Sequence, residues 1–502
     1  MTTPERFVWF DYETFNISPF GGAASQFAAI VTDNDFNIVE KHNFFCKISD
    51  DTIPELGACL VTGINPCTLL DEADNVFCEF DFVTKINEIF QGGNNSCSVG
   101  YNSTKFDDEW TRVLLYRNLK DPYEWAYKNK NSRFDALNLV QMTYVFAPEV
   151  LNWEYVDAHN ADGDIIGSRP SFRLEVLSSI NGIVHENAHD ALSDVIALIN
   201  LVKIIKEKAP YVYDLAMQQR DKRRMQDIIA EDKTFLALGN RNRELGYATL
   251  ATTLGYSPSS PSSKAYAWDL TIDPSPFLSL TDEQKEAMRG KFGDEFKKLG
   301  FSDGNGAFSV KVNAIPNVVE KSVYSDGSFS PSEQLVSKRA SIKENLQLVR
   351  ANKKVLLDLC IYLERQFDKI DDPDMDIYSG GFFSPLEKAS AKEFNNCATW
   401  EERAVLSRAE KTPIRISRMG TRVISRNKPE LLTEPERENW KRYKISRFTG
   451  SALNQPTSRD GQKYSINSLL VEIDETPAAE ELTDLLLSIK GYASKCLLLA
   501  AE

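Results

Sequence analysis

The sequence predicts a mixed α/β domain followed by a small β-rich domain and an α-helical C-terminal domain. Three observations carry this. Strand-length apolar runs alternate with helix-period segments over roughly the first 200 residues, a Pro-, Ser- and Gly-rich stretch with short β-like runs follows, and helical spacing resumes from about Ser341. A chain of 502 residues is too long for one ordinary core and should divide. The expected domains are 1–205, 206–350 and 351–502.

In the first of these, Phe7–Phe10 is an apolar run ending in acids, Phe27–Thr32 and Ile38–Cys46 read as the next strands, and Cys97–Tyr101 is a short strand before a helix over Lys105–Asn118. From Ala191 to Lys206, Leu192, Val195, Leu198, Ile199, Val202 and Ile205 fall at helical spacing with Asp190 and Asp194 early, so a long helix closes the domain. A charged helix is expected around Tyr213–Ala230. The β-rich middle contains the loop Ser257–Ser263 and the strand Phe308–Val312, and the last third opens with a helical pattern over Ile342–Gln366, with interruptions at Pro373, Pro385, Pro429 and Pro456.

No window approaches the roughly 18 uninterrupted apolar residues of a membrane span, and the opening MTTPERFVWF has neither the basic start nor the apolar stretch of a signal peptide. A cytoplasmic protein without membrane contact is expected. The eight cysteines form no CxxC pair, which argues against a zinc ribbon or a disulfide framework and for reduced, mostly buried thiols. A net charge of −15 argues against bulk coating of nucleic acid but leaves room for a local basic channel. The densest basic region runs from Arg403 to Arg447; a solvated helix surface is the plainer explanation of it.

The chemistry concentrates in three places. Asp11-Tyr12-Glu13-Thr14 ends the first strand, and strand period puts Asp11 and Glu13 on one face. Hard divalent ions need oxygen ligands, and two ions about 4 Å apart can clamp the attacking and leaving oxygens of a phosphodiester. The second place is Gly100-Tyr101-Asn102-Ser103-Thr104-Lys105-Phe106-Asp107-Asp108-Glu109, a strand end, polar turn and acid-rich helix start. There Asp108 or Glu109 can serve the helix dipole while Asp107 reaches a metal. The third is His189-Asp190-Ala191-Leu192-Ser193-Asp194, where a histidine of near-neutral intrinsic pKa has the right type for a general base.

His185-Glu186-Asn187-Ala188-His189 also satisfies H-E-x-x-H, the zinc-protease pattern. That pattern needs both histidines on one continuous helix, whereas Asn181-Gly182 upstream and Asn187 with Asp190 predict a turn and a helix start. Only His42 and His159 remain as further histidines, so a third ligand would more readily be a carboxylate.

Asp11 and Glu13, then Asp107 within N-x-x-x-F-D, then His189-x-x-x-x-Asp194, resemble in order and context the three motifs of the DEDDh exonucleases. Proofreading subunits, oligoribonuclease and RNase T share these motifs in much shorter chains. Gln26–Ile30, Leu60–Ile64, Asn131–Asp135, Pro170–Glu175, Tyr378–Ser384 and Arg426-Asn427-x-Pro429 with Trp440 downstream resemble the bacterial exonuclease I family over almost the whole chain. The resemblance implies an RNase H-like exonuclease domain, an SH3-like middle domain and a helical C-terminal domain. It also implies two Mg²⁺ ions, with Mn²⁺ able to substitute, held by Asp11, Glu13, Asp107 and Asp194, and His189 as general base. Single-stranded DNA would be shortened from its 3′ end to 5′-mononucleotides, threading a positive channel in DNA repair and recombination. Glu13, Thr62, Gly63 and Ile64 match the segments that meet the terminal nucleotide, and Arg173 is the positioning arginine. For Ile64 a core role and for Arg173 a surface ion pair are the plain alternatives.

The family further implies a contact with the acidic C-terminal tail of single-strand DNA-binding protein, with Lys233 and Arg350 where basic residues of that patch would lie. Ala147 and the neighbourhood of Ser328 offer no arginine for its other anchors. A monomer is expected. Two other functions share part of the signal: a catalytically silent nucleic-acid binder, against which the complete acid set counts, and an RNA-directed exonuclease, because the motifs do not report on the sugar.

Overall fold

A computed structural model describes residues 3–69, 73–159, 163–185, 190–231, 233–289, 306–325, 330–364, 370–452, 463–477 and 482–501. Strand β1 (Arg6–Thr14) is longer than the apolar run that predicts it, because pairing with its antiparallel neighbour carries the strand through Asp11 and Glu13. It runs antiparallel to β2 (Ala24–Thr32), which pairs antiparallel with β3 (Ile38–Cys46); β3 pairs parallel with the short β4 (Val76–Phe77). On its other side β1 runs parallel to β5 (Ser96–Gly100). With β6 (Ser132–Asp135) the sheet order is β4-β3-β2-β1-β5-β6, the mixed sheet the sequence predicts.

Every residue of β2 is buried, as befits a strand covered on both faces. Helices α1 (Leu56–Thr62), α2 (Glu79–Gln91) and α3 (Asp107–Arg117) belong to the same region. Phe10, Phe27, Phe44, Phe82, Phe90, Trp110 and Trp125 fill the core between sheet and helices. Burying one such Phe side chain stabilises by about 1.5–3 kcal/mol.

By contacts the chain forms two compact units, one of Thr3–Ser132, His185–Ile196 and Asp368–Glu502, the other chiefly of Arg133–Val184 and Ala197–Phe367. The second unit contains α4 (Ala136–Phe146), the hairpin of β7 (Tyr155–His159) and β8 (Ile165–Pro170), α5 (Leu174–Ile180) and most of α6 (Ala191–Lys208). Its β-rich part is a five-stranded antiparallel sheet, ordered β12 (Ala307–Lys311), β11 (Lys264–Asp269), β10 (Ala248–Tyr256), β9 (Thr234–Leu238), β13 (Val318–Glu320). The helix expected around Tyr213–Ala230 is two, Pro210–Met217 and Lys222–Ile228; Asp221 starts the second by accepting from the amides of Arg223 and Arg224. The pattern over Ile342–Gln366 likewise divides at Asn352 into Arg339–Ala351 and Lys353–Leu363.

In the first unit the C-terminal helices complete the N-terminal sheet region. Pro385 opens the helix Pro385–Asn396, where its fixed φ suits the first turn, and Ser384, Thr399 and Thr433 form capping boxes at the starts of Pro385–Asn396, Trp400–Arg408 and Glu434–Phe448. Phe15, Ile53 and Cys59 share one core with Phe448, Leu469, Ile489 and Tyr492. Phe80, Tyr116 and Leu119 share another with Phe394, Met419, Val423 and Trp440.

The basic stretch from Arg403 to Arg447, the sequence candidate for a local channel, binds groups of the protein itself. Arg403 lies over the rings of Phe80 and Trp400, Arg408 pairs with Glu436 at 2.7 Å, and Arg415 donates to the Tyr116 hydroxyl at 2.9 Å. Arg418 pairs with Asp371 at 2.6 Å, Arg422 with Asp374 at 3.3 Å, and Arg426 with Asp51 at 3.1 Å and with Asp374. Arg437 pairs with Glu434, Arg442 donates to Asn439, and Arg447 donates to the carbonyls of Gly21 and Asp51. All eight cysteines are unbridged, and five of them are buried.

Candidate active site

The parallel pair β1 and β5 ends on one edge of the sheet, the place where open α/β sheets present a crevice. Strand period carries Asp11 and Glu13 to one face at that end. Immediately beyond Glu13, which faces Gln26, the register with β2 shifts so that Thr14 faces Ala24, and such a bulge re-aims the side chains beside it. After β5 the chain turns tightly. A Cβ on Gly100 would come within 2.6 Å of Ser103 Cβ, so the turn requires glycine.

That turn delivers Asp107 as the first residue of α3, where an acid also suits the helix dipole. The Tyr12 amide donates to Asp107 Oδ1 at 3.3 Å. Asp108 is buried, while Glu109 pairs with Arg112 at 2.7 Å and accepts from the Tyr378 hydroxyl at 2.8 Å. Asp190 caps α6: its Oδ2 accepts from the Ser193 amide at 3.2 Å, and its carbonyl accepts from the Asp194 amide at 3.0 Å. Asp194 therefore sits in the first turn of that helix.

These elements bring Asp11, Glu13 and Asp194 together, with one carboxylate oxygen of each within 4.8 Å of the others. Burial, then Asp107, Asp194 and Asp190, raise Asp11 well above the usual carboxylate range. Burial, then Asp11, Asp194 and Asp190, push Glu13 up to about 9. Crowded acids of this kind are short of positive charge, and their all-oxygen donor set fits a hard divalent cation. Asp107 belongs to the same electrostatic group through its effect on Asp11.

His189 lies outside the described residues. Helix α6 begins at Ala191, beyond both histidines of H-E-x-x-H, so it does not carry that pattern. His185 meets the acids instead, its Nε2 lying 2.5 Å from Asp194 Oδ1. Three residues that sequence reasoning left without a site role stand at this edge: His185, Asp190, and Gln26, whose Nε2 donates to Asn43 Oδ1 and Asp190 Oδ1, both at 2.9 Å. The H-E-x-x-H match is the one sequence signal at His185.

Thr62 ends α1 and its Oγ1 accepts from the Ile64 amide at 3.1 Å; Gly63 takes the left-handed conformation, φ 67°, that stops the helix. Ile64 is half-buried against the core that contains Leu56 and Leu469. Arg173 precedes α5, largely exposed and paired with Glu175. Lys233 and Arg350 are exposed, and Lys233 Nζ donates to the Asp227 carbonyl at 2.8 Å.

Comparison with known proteins finds relatives over most of the chain. Residues 8–202 match the exonuclease family model and residues 371–496 that of the exonuclease I C-terminal domain. The chain is 32% identical to exodeoxyribonuclease I of Escherichia coli over 458 residues, 89% of this chain and 90% of the relative, and 31% identical to that of Haemophilus influenzae over 466 residues, 89% and 91%. Its fold matches the zinc-bound complex of E. coli exonuclease I with single-stranded DNA at a TM-score of 0.82, with 28% identity, covering 98% of this chain and 100% of that one. The mixed sheet and its helices are thus an RNase H-like exonuclease fold followed by a helical C-terminal region. The chain is thus a nuclease that belongs to the exodeoxyribonuclease I family.

Proposed function

We propose that this enzyme shortens single-stranded DNA from the 3′ end to 5′-mononucleotides, using two divalent ions, Mg²⁺ with Mn²⁺ able to substitute, held by Asp11, Glu13, Asp107 and Asp194. The observation that carries the reading is the convergence of Asp11, Glu13 and Asp194 oxygens within 4.8 Å. Bound ions of this kind supply Lewis acidity to the attacking and leaving oxygens of a phosphodiester.

The chain's own residues hold the geometry. Strand pairing fixes Asp11 and Glu13, the first turn of α6 holds Asp194, and the Tyr12 amide restrains Asp107. His189 takes the proton from the attacking water as the neutral imidazole, a role supported by its spacing before Asp194. Thr62, Gly63 and Ile64 flank the terminal nucleotide, and Arg173 leaves Glu175 to meet a phosphate; these roles rest on the family resemblance.

Lys233 and Arg350 receive the acidic tail of a single-strand DNA-binding protein; the partnership is supported by the solved structure of SSB/exonuclease I with an inhibitor, and the two residues rest on the family resemblance. We place the enzyme, as a monomer, in cytoplasmic DNA repair and recombination. No described helix is long and apolar enough to cross a membrane.

The decisive experiment incubates the purified chain with a 5′-labelled single-stranded oligonucleotide, with Mg²⁺ or with EDTA, beside its duplex and an RNA of equal sequence. A ladder shortening from the 3′ end only with Mg²⁺, and fastest on single-stranded DNA, is expected. Shortening of RNA alone would overturn the substrate, and binding without product would overturn the chemistry.

A further inference from the structure

We propose that His185 is a positioning residue for the metal ligand Asp194: its Nε2–H holds one carboxylate oxygen so that the other is presented to the metal. The inference rests on the divalent-ion reading above and deepens it.

The contact is made in a confined place. Nε2 lies 2.5 Å from Asp194 Oδ1, and the side chains are 6% and 18% exposed, so water competes poorly for either partner. An ionised carboxylate only accepts hydrogen bonds, which requires the proton of this contact to sit on Nε2. A nitrogen carrying that proton is neither a metal ligand nor a general base. The geometry therefore commits Nε2 of His185 to Asp194 rather than to the zinc-ligand role its H-E-x-x-H pattern advertises or to activating a water.

Asp194 needs such a partner more than a solitary carboxylate would. It lies within 4.8 Å of acids that repel it, and it is one of the charges that raise both Asp11 and Glu13. Left to rotate, a carboxylate one turn into a helix would swing away from that repulsion. His185 opposes the swing from the segment before α6, while the Asp190 cap, held by Gln26, fixes the start of the helix itself. Two separate contacts thus set the two ends of one lever: Gln26 through Asp190 places the backbone, and His185 orients the side chain. Partners of this kind, one step removed from the ion, change metal affinity by about 10–100-fold when removed.

The test measures Mn²⁺ binding by the full chain without DNA, using electron paramagnetic resonance to follow free ion, for the wild type, Asp11→Asn, His185→Leu and His185→Gln. Leucine fills the space and donates nothing; glutamine keeps an N–H donor near the position of Nε2. Thermal midpoints without metal verify that each variant is folded. The expected result is a dissociation constant about tenfold or more weaker in His185→Leu, most of it restored in His185→Gln, with kcat at saturating Mn²⁺ falling less than the affinity. Equal affinity in His185→Leu and wild type, or tighter binding in His185→Leu, would overturn the positioning role alone. Equal weakness in His185→Leu and His185→Gln would also overturn it, because shape rather than the N–H would then matter. Failure of the wild type to bind Mn²⁺ at a site sensitive to Asp11→Asn would instead overturn the divalent-ion reading, and this proposal with it.

Discussion

Tyr12 binds the helix that carries Asp107 twice, through its amide to Asp107 Oδ1 at 3.3 Å and through its hydroxyl, which accepts from Thr111 Oγ1 at 3.1 Å. The residue between the two acids of β1 is thus the anchor for the acid delivered by α3, although 95 positions separate them. Tyr12→Phe keeps the amide bond and leaves the buried Thr111 hydroxyl without this partner. A loss of about 1 kcal/mol in urea unfolding is expected, with kcat within a few-fold of wild type. A kcat collapse without loss of stability would show that the tyrosine hydroxyl acts in the chemistry.

Replacing Asp194 by Asn keeps the volume of the side chain and removes its charge. Cleavage of single-stranded DNA is expected to fall by about a hundredfold or more, with the far-ultraviolet spectrum unchanged. Cleavage within a few-fold of wild type would remove Asp194 from the ligand set.

The acid cluster makes the metal-free protein pH-sensitive in a defined direction. Burial, then Asp11, Asp194 and Asp190, lift Glu13 from an ordinary 4.5 to about 9, so the folded state binds more protons at this group than the unfolded chain. Between roughly pH 4.5 and 9 its contribution to stability therefore falls as pH rises. Glu13→Gln should raise the metal-free thermal midpoint at about pH 8 and flatten its pH dependence while abolishing cleavage. A midpoint lowered by Glu13→Gln at that pH would contradict the assignment.

The buried pairs at Arg426 join the C-terminal helices to the sheet region of the same unit. Arg426 is 4% exposed, between Asp51 at 5% and Asp374 at 3%. Although burial opposes it, Arg426 and then Arg422 hold Asp374 well below the usual carboxylate range. Asp374→Ala leaves Arg426 buried with part of its compensation gone, and a loss of about 3–5 kcal/mol is expected from denaturant unfolding. The stabilisation from this aspartate is present above its unfolded pKa, near pH 4, and is lost as pH falls toward its folded value. A loss below about 1 kcal/mol would show that water or Asp51 replaces the missing partner.

Lys233→Ala with Arg350→Ala tests the proposed partner. Fluorescence anisotropy of an acidic peptide ending like a single-strand DNA-binding protein should give an affinity at least about tenfold weaker, with cleavage of naked single-stranded DNA unchanged. Unaltered peptide affinity would place the contact elsewhere.

Much of the candidate site was legible in the residues themselves. A D-x-E pair on a strand must share a face, since alternation is a property of extended backbone. Asp190 and Asp194 announce a helix start because a carboxylate readily caps exposed amides. The strand Ile38–Cys46 has the bounds its apolar and β-branched content predicts. The breaks at Asp221 and Asn352 escaped periodicity, because helical spacing of apolar residues continues across a cap that local hydrogen bonds decide.

The sequence by itself determined the order of the acids, their placement at strand ends and helix starts, and the succession of mixed, β-rich and helical segments. All of these depend on local backbone periods and on side-chain chemistry. Tertiary structure alone decided what the charged groups face. Arg426 and Arg447 look like candidates for phosphate in the sequence, yet they meet Asp51, Asp374 and backbone carbonyls far away in the chain. His185 looks like half of a zinc motif, yet it meets Asp194. A charge acts on whatever lies within a few ångströms, and only folding sets which groups those are.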